Sequence, residues 1–396
     1  MKKKILFVIS RMAIGGSQRS LVNALNALDA DRYDITLYVR ENKTELIPEI
    51  KTPVRVVVND NPSKYDHSFP ALVYEALKRT ALLFKFIKGA SYCDDRSRRY
   101  VTRKRTSYEK RRYPELSEKY DAAISYLQGY TCKFTADVVK ADRMICFFHN
   151  STDGTPELHA GYLPKFDRIV TVANDTRELL ASSYPEISDK LTVIQNIIDV
   201  EGIKRKARKF KIDRPDGKTM ICTCGRISPE KGCDLAVKAA KILADSGVSF
   251  KWSFIGDGPK FDDIKKQTAD LGLDEYIVLV GAKPNPYPWI AACDVYVQPS
   301  YEESQGLTIM EAQILGRPVV STKTVGAEGN IAEGKTGLLV GFTGVEIAGG
   351  IKRLIDDPGL AAHFSRELMN NGYDEYNDRI KKQWKDLLEG KDEELR

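Results

Sequence analysis

The chain has 396 residues, 42% of them hydrophobic and 29% charged, with a formal net charge of +6. That length exceeds what one core usually organises and favours two or three domains, while the composition excludes a disordered or collagen-like chain. No apolar run approaches the roughly 18 residues of a membrane-spanning helix, and the six apolar or small residues between Lys4 and Arg11 are too few for a signal-peptide core, so a cytoplasmic chain is expected.

Chemistry at the cysteines is expected to be plain. Cys93, Cys132, Cys146, Cys222, Cys224, Cys233 and Cys293 are scattered, without Cys-x2-Cys pairs or neighbouring histidines, and are expected to be reduced core residues with no metal site.

The chain opens with an apolar run of strand length, Lys4 to Ser10, then a Gly15-Gly16 turn, then Leu21, Val22, Leu25 and Leu28 at helical spacing. This is a strand, glycine loop, helix unit. Further strands are predicted at Asp34 to Val39, Val54 to Val58, Tyr120 to Tyr126, Arg143 to Phe148, Arg168 to Val172 and Leu191 to Ile194, with helical patterns between most of them. Such alternation predicts a mainly parallel sheet covered on both faces.

Residues 202 to 218 are polar and basic, and apolar periodicity lapses there. A linker is expected at that stretch, between a first domain at 1–201 and a second at 219–372. The second domain is predicted from strands at Thr219 to Cys224, Lys251 to Ile255, Ile277 to Val280, Val295 to Gln298 and Pro318 to Ser321, separated by helical segments such as Asp234 to Asp245 and Leu307 to Leu315. The charged, helical stretch 373–396 either finishes the second domain or crosses back to the first.

Two carboxylates eight positions apart, Glu303 and Glu311, follow the strand Val295 to Gln298 and span the start of a helix. Ligands of α/β sheets collect outside the carboxyl ends of strands, so both side chains can serve one crevice. A carboxylate accepts two hydroxyl hydrogen bonds at once, which suits sugar diols, and Gly306 lets backbone N–H groups approach a phosphate. An acidic helix start favoured by the macrodipole accounts for the pattern equally. After the second domain's first strand, Gly225 to Gly232 places Arg226 and Lys231 where they can neutralise a pyrophosphate; a solvated basic turn is the plainer alternative. A third piece, Gly256-Asp257-Gly258-Pro259, lets the backbone approach a ligand closely or simply makes a tight turn.

Taken together these three motifs, in this order, resemble the retaining glycosyltransferases of family 4, as found in bacterial cell-envelope polysaccharide and glycolipid synthesis. Asn285 to Pro288, Ala312 to Val320 and Gly15 to Arg19 extend the likeness, which is strong over residues 218 to 325 and weak from 60 to 118. The resemblance implies the GT-B fold: an α/β protein of two Rossmann-like domains facing across a cleft, the first binding acceptor and the second a nucleotide sugar. It further implies that Arg226 and Lys231 bind the donor diphosphate, Glu311 the ribose and Glu303 the transferred sugar near its reacting carbon, with Gly256, Gln305, Gly306 and Leu307 beside them. The loop carrying Ala282 and Lys283 lines the base, Gly16 brings its backbone near the phosphate, and His149 lies beside the sugar. Family members commonly read Glu-Gly-Phe-Gly where this chain has Glu303-Ser304-Gln305-Gly306, so polar side chains are expected next to the sugar pocket and the donor sugar is left open.

The implied chemistry is retaining transfer of a hexose or N-acetylhexosamine, from a UDP-sugar donor that is substrate rather than cofactor, with no metal needed. A sugar-nucleotide epimerase of the same architecture is the enzymatic alternative. An oxidoreductase is disfavoured because neither half carries Gly-x-Gly-x-x-Gly after its first strand, and no nucleic-acid signature is present.

The last expectation concerns residues 78 to 112, which hold thirteen Lys or Arg against three Asp or Glu. Leu77, Ala81, Leu83, Phe84 and Ile87 fall on one helical face, away from Lys78, Arg79 and Lys85, and the basic run continues through Arg103, Lys104 and Arg105. A basic amphipathic segment of this kind binds anionic lipid head groups. It predicts peripheral attachment at the inner face of the membrane and a lipid-linked acceptor; a solvated charged loop and a soluble acceptor are the alternatives.

Overall fold

A computed structural model of the protein describes residues 1–59, 114–149, 161–369 and 372–395. The chain divides into two compact units: Met1–Ile197 together with Ile380–Arg396, and Ile198–Arg379. Both are parallel α/β sheets of Rossmann-like topology, as the alternation of apolar runs predicts.

In the first unit the strands are β1 (Lys3–Ile9), β2 (Tyr33–Val39), β3 (Val54–Val58), β4 (Lys119–Ser125), β5 (Lys140–Phe148), β6 (Arg168–Thr171) and β7 (Leu191–Val193), in the order β3-β2-β1-β4-β5-β6-β7. Every pairing is parallel; Phe7, for example, pairs with Leu37 on one side and Ile124 on the other. Ile5 to Ile9 are wholly buried, which requires cover on both faces and explains why β1 reads as a continuous apolar run instead of an alternating one.

Across the second unit run β8 (Thr219–Cys224), β9 (Phe250–Ile255), β10 (Ile277–Gly281), β11 (Val295–Gln298), β12 (Val319–Thr322) and β13 (Gly337–Val340), in the order β10-β9-β8-β11-β12-β13. The helices Cys233–Asp245 and Gly344–Asp356 bury Ala236, Ala239, Ala240, Ile347 and Ile351 in the same core as Trp252. β13 is absent from the sequence reading because four residues beginning with glycine carry no usable periodicity. In each unit the chain order reverses beside the first strand, so the crevices open at the carboxyl ends of β1 and β4 and of β8 and β11.

Two particulars differ from expectation. Cys132 and Cys146 are joined as a disulfide, so these two are not reduced core thiols. Cys132 lies on the helix Tyr130–Val138, which packs in the same buried cluster as β5, bringing together residues with no tell-tale spacing. Cys222, Cys224, Cys233 and Cys293 are free and buried, and Cys93 lies outside the described residues. The expected linker at 202–218 begins inside a helix, Val200–Ala207, whose N-cap Asp199 accepts a hydrogen bond from the Gly202 N–H at 2.9 Å.

The terminal helix Tyr373–Glu389 supplies both units, its residues up to Arg379 counting with the second and those from Ile380 with the first. In the first unit Trp384 is 2% exposed and stacks on Phe147 at 4.9 Å between centroids. Beyond the helix, Asp392 pairs with Arg143 and Arg168, and the Thr192 hydroxyl donates to the Leu395 carbonyl at 2.6 Å. Among the described residues no helix is long and apolar enough to cross a membrane.

Candidate active site of the second unit

β8 ends at Cys224 and β11 at Gln298, and the loops that follow them carry most of the residues singled out in the sequence. The loop after β8 is braced by the loop after β9: the Ile227 N–H donates to the Asp257 carbonyl at 3.0 Å, and the Lys260 N–H to the Ile227 carbonyl at 3.0 Å. Gly256 makes this possible, since a Cβ there would collide with the Gly225 carbonyl oxygen. The loop after β11 is braced from the same side, with the Tyr301 N–H donating to the Glu230 carbonyl at 2.9 Å. Cys224, Gly225, Arg226, Lys231, Phe254 and Gln298 line one small pocket.

Within this cradle Lys231 Nζ lies 2.8 Å from Glu303 Oε1, joining the cation and the carboxylate directly. Glu303 Oε1 also accepts from Gln298 Nε2 at 2.8 Å and from Ser300 Oγ at 2.9 Å. Arg226 is exposed at the pocket's edge. Gly306 takes a left-handed φ of 69° and starts the helix Leu307–Ile314, one turn into which Glu311 accepts a hydrogen bond from the Tyr287 hydroxyl at 3.0 Å. Ala282 and Lys283 lie in the loop after β10, at the carboxyl end of the sheet's edge strand.

Gln305 behaves differently from the polar sugar-pocket side chain expected. It is 7% exposed, and its amide donates to the Tyr376 hydroxyl at 2.8 Å, inside the unit's own packing. The loop is held from beneath as well, the Glu303 carbonyl accepting from the Gly326 N–H at 2.8 Å.

In the first unit, Gly16 begins the helix Gly16–Ala27 after β1 and His149 stands one residue beyond β5, both at carboxyl ends of strands. Burial lowers the His149 pKa to about 4, against a small opposing effect of its bond with the Tyr126 backbone, so the ring is neutral at pH 7. Among the described residues its Nε2 is buried without a hydrogen-bond partner, and the ring packs 4.8 Å from that of Tyr126. The basic positions Lys78, Arg79, Lys85, Arg103, Lys104 and Arg105 lie outside the described residues.

Sequence reasoning missed Gln298, Ser300 and Tyr376 as parts of this arrangement. Gln298 carried one signal, a polar side chain at the end of an apolar strand.

Residues 204–371 match the family model for glycosyl transferases group 1. The chain is 30% identical over 200 residues to a 2-deoxystreptamine glucosyltransferase of Streptomyces kanamyceticus, covering 48% of this chain and 51% of that one. It is 34% identical over 208 residues to a D-inositol 3-phosphate glycosyltransferase of Arthrobacter sp. (strain FB24), covering 49% of each. The chain thus spans about half the length of the curated relatives it matches. The crystal structure of Anabaena Alr3699/HepE in complex with UDP and glucose is similar in fold, with a TM-score of 0.69 and 18% identity over 97% of this chain and 99% of that one.

Proposed function

We propose that the protein is a retaining glycosyltransferase of family 4 that moves a hexose or N-acetylhexosamine from a UDP-sugar to an acceptor hydroxyl. The observation that carries this reading is that Arg226 and Lys231 line one pocket at the β8–β11 switch point, with Lys231 bonded to Glu303. The group 1 match over 204–371 covers the same residues and supports it.

In this reading Arg226 and Lys231 hold the diphosphate, Glu311 the ribose hydroxyls, and Glu303 the sugar near its reacting carbon. Gln305, Gly306 and Leu307 act through their backbone, Gly256 admits the diphosphate, and the loop of Ala282 and Lys283 lines the base. The bond from the sugar's anomeric carbon to the diphosphate oxygen breaks, and a bond to the acceptor oxygen forms on the same face. The acceptor's proton passes to the departing diphosphate. Fixed positive charge at the leaving group is the main catalytic contribution, typically ~3 kcal/mol for one such group. These cations do the work that a divalent metal does elsewhere, so transfer proceeds in EDTA.

For the acceptor, the basic segment 78 to 112 supports a lipid-linked glycan reached from the inner membrane face, bound by the first unit. A soluble polyol or aminocyclitol is the second reading, favoured by what the named relatives glycosylate. The test is a panel of UDP-sugars incubated with polyprenyl-diphosphate glycans or with soluble polyols, the product's anomeric configuration being read by NMR. Inversion defeats the retaining mechanism; donor conversion without any acceptor product defeats the transferase reading and favours an epimerase.

A further inference from the structure

Gln298 closes β11 with its side chain 2% exposed and every hydrogen-bonding position of its amide in use. Its Oε1 accepts from the Tyr296 hydroxyl at 2.9 Å and from Thr308 Oγ1 at 3.0 Å. Its Nε2 donates to Ser300 Oγ at 2.8 Å and to Glu303 Oε1 at 2.8 Å. The amide has one orientation only, because the reverse would set its carbonyl oxygen against the Glu303 carboxylate. Burial pushes the Tyr296 hydroxyl well above its ordinary value, which keeps it a donor toward Gln298.

Three donors therefore converge on Glu303 Oε1, and they are not equivalent. Lys231 and Gln298 both line the pocket, but Lys231 is 26% exposed, whereas Gln298 and Ser300 are buried and held within β11 and the loop after it. An incoming diphosphate competes for Lys231, while Gln298 and Ser300 have all their bonds to Glu303 and its neighbours already made.

Resting on the proposed transferase reading, we infer that Gln298 is the positioning residue of the site, holding Glu303 by Oε1 so that Oε2 stays aimed at the donor sugar when Lys231 turns to the diphosphate. Gln298 acts through Glu303. Through Tyr296 and Thr308 it ties that carboxylate to β11 and to the first turn of the helix Leu307–Ile314.

The test is a double-mutant cycle of Gln298→Met and Glu303→Gln, reading UDP release from UDP-glucose, with a crystal structure of Gln298→Met alongside. Gln298→Met should lower kcat roughly 30- to 100-fold, the scale of a misplaced reacting group, with KM within about threefold. In the Glu303→Gln background the same change should cost less than about twofold, since the residue acts through the group already removed. The crystal structure should show the Glu303 carboxylate displaced. Equal losses in both backgrounds, or an unmoved Glu303 in Gln298→Met, overturn the inference. If the wild type releases no UDP from any member of the UDP-sugar panel while Glu303 still moves in the variant, the positioning stands and the transferase reading falls. Should Gln298→Met not fold, Gln298→Asn keeps an amide one methylene too short for Glu303 and carries the same expectations.

Discussion

Lys231 and Glu303 are hydrogen-bonded to one another at 2.8 Å, although one is assigned to the donor's diphosphate and the other to its sugar. Each neutralises the other until a ligand separates their tasks. Lys231→Ala should lower turnover by about 10² or more, because a fixed cation at a leaving group acts in the transition state. Melting should move by no more than about 2 °C, since a partly exposed ion pair contributes little to stability. UDP release and thermal melting read the two effects, and a loss below about fivefold with normal melting removes Lys231 from the site.

The two carboxylates should separate in kinetics. Glu311→Ala should weaken donor binding by about 1.5 to 3 kcal/mol, the worth of charge-assisted hydrogen bonds to ribose. Glu303→Ala should lower kcat with little change in donor affinity. Calorimetric donor affinity and kcat measured on both variants decide this, and the same unchanged affinity in both contradicts the assignment.

Trp384 tests the first unit's dependence on the chain's last helix. Its ring is 2% exposed and stacks on Phe147, so Trp384→Ala should cost about 3 to 5 kcal/mol in guanidinium unfolding. A cost below about 1 kcal/mol would show that the helix is dispensable to this core.

His149 makes stability depend on pH in a stated direction. Burial depresses its pKa to about 4, so between that value and the ordinary ~6.5 the unfolded chain binds a proton that the folded chain does not. Stability therefore falls as pH drops through this window. Urea unfolding at pH 7 and pH 5 should show a smaller loss for His149→Gln than for the wild type; an equal loss would place the depressed group elsewhere.

Much of the fold was legible because its strands are buried on both faces. Lys4 to Ile9 and Thr219 to Cys224 stand out as apolar runs ended by glycine loops, and those loops are where the site gathers. What was hidden depends on contacts distant in sequence. The Cys132–Cys146 bond needs one helix laid on one strand. Trp384 lies in a helix whose charge masks the stripe formed by Ile380, Trp384 and Leu387, all buried. At Gln305 the sequence gives a polar residue beside an acidic motif, and only the packing shows that its amide turns to Tyr376. Gln298 reads as a strand boundary until four partners surround it.

The central claim is that the pocket at the ends of β8 and β11 binds a nucleoside diphosphate through fixed cations. Calorimetric titration of the full chain with UDP in EDTA, beside Lys231→Ala and the Arg226→Ala, Lys231→Ala double variant, tests it most directly. The account predicts saturable one-to-one binding by the wild type, weakened about tenfold or more by the first variant and further by the second, since a hydrogen bond to a charged group contributes about 1.5 to 3 kcal/mol. Equal UDP affinity in all three proteins, or no binding by the wild type, would contradict it.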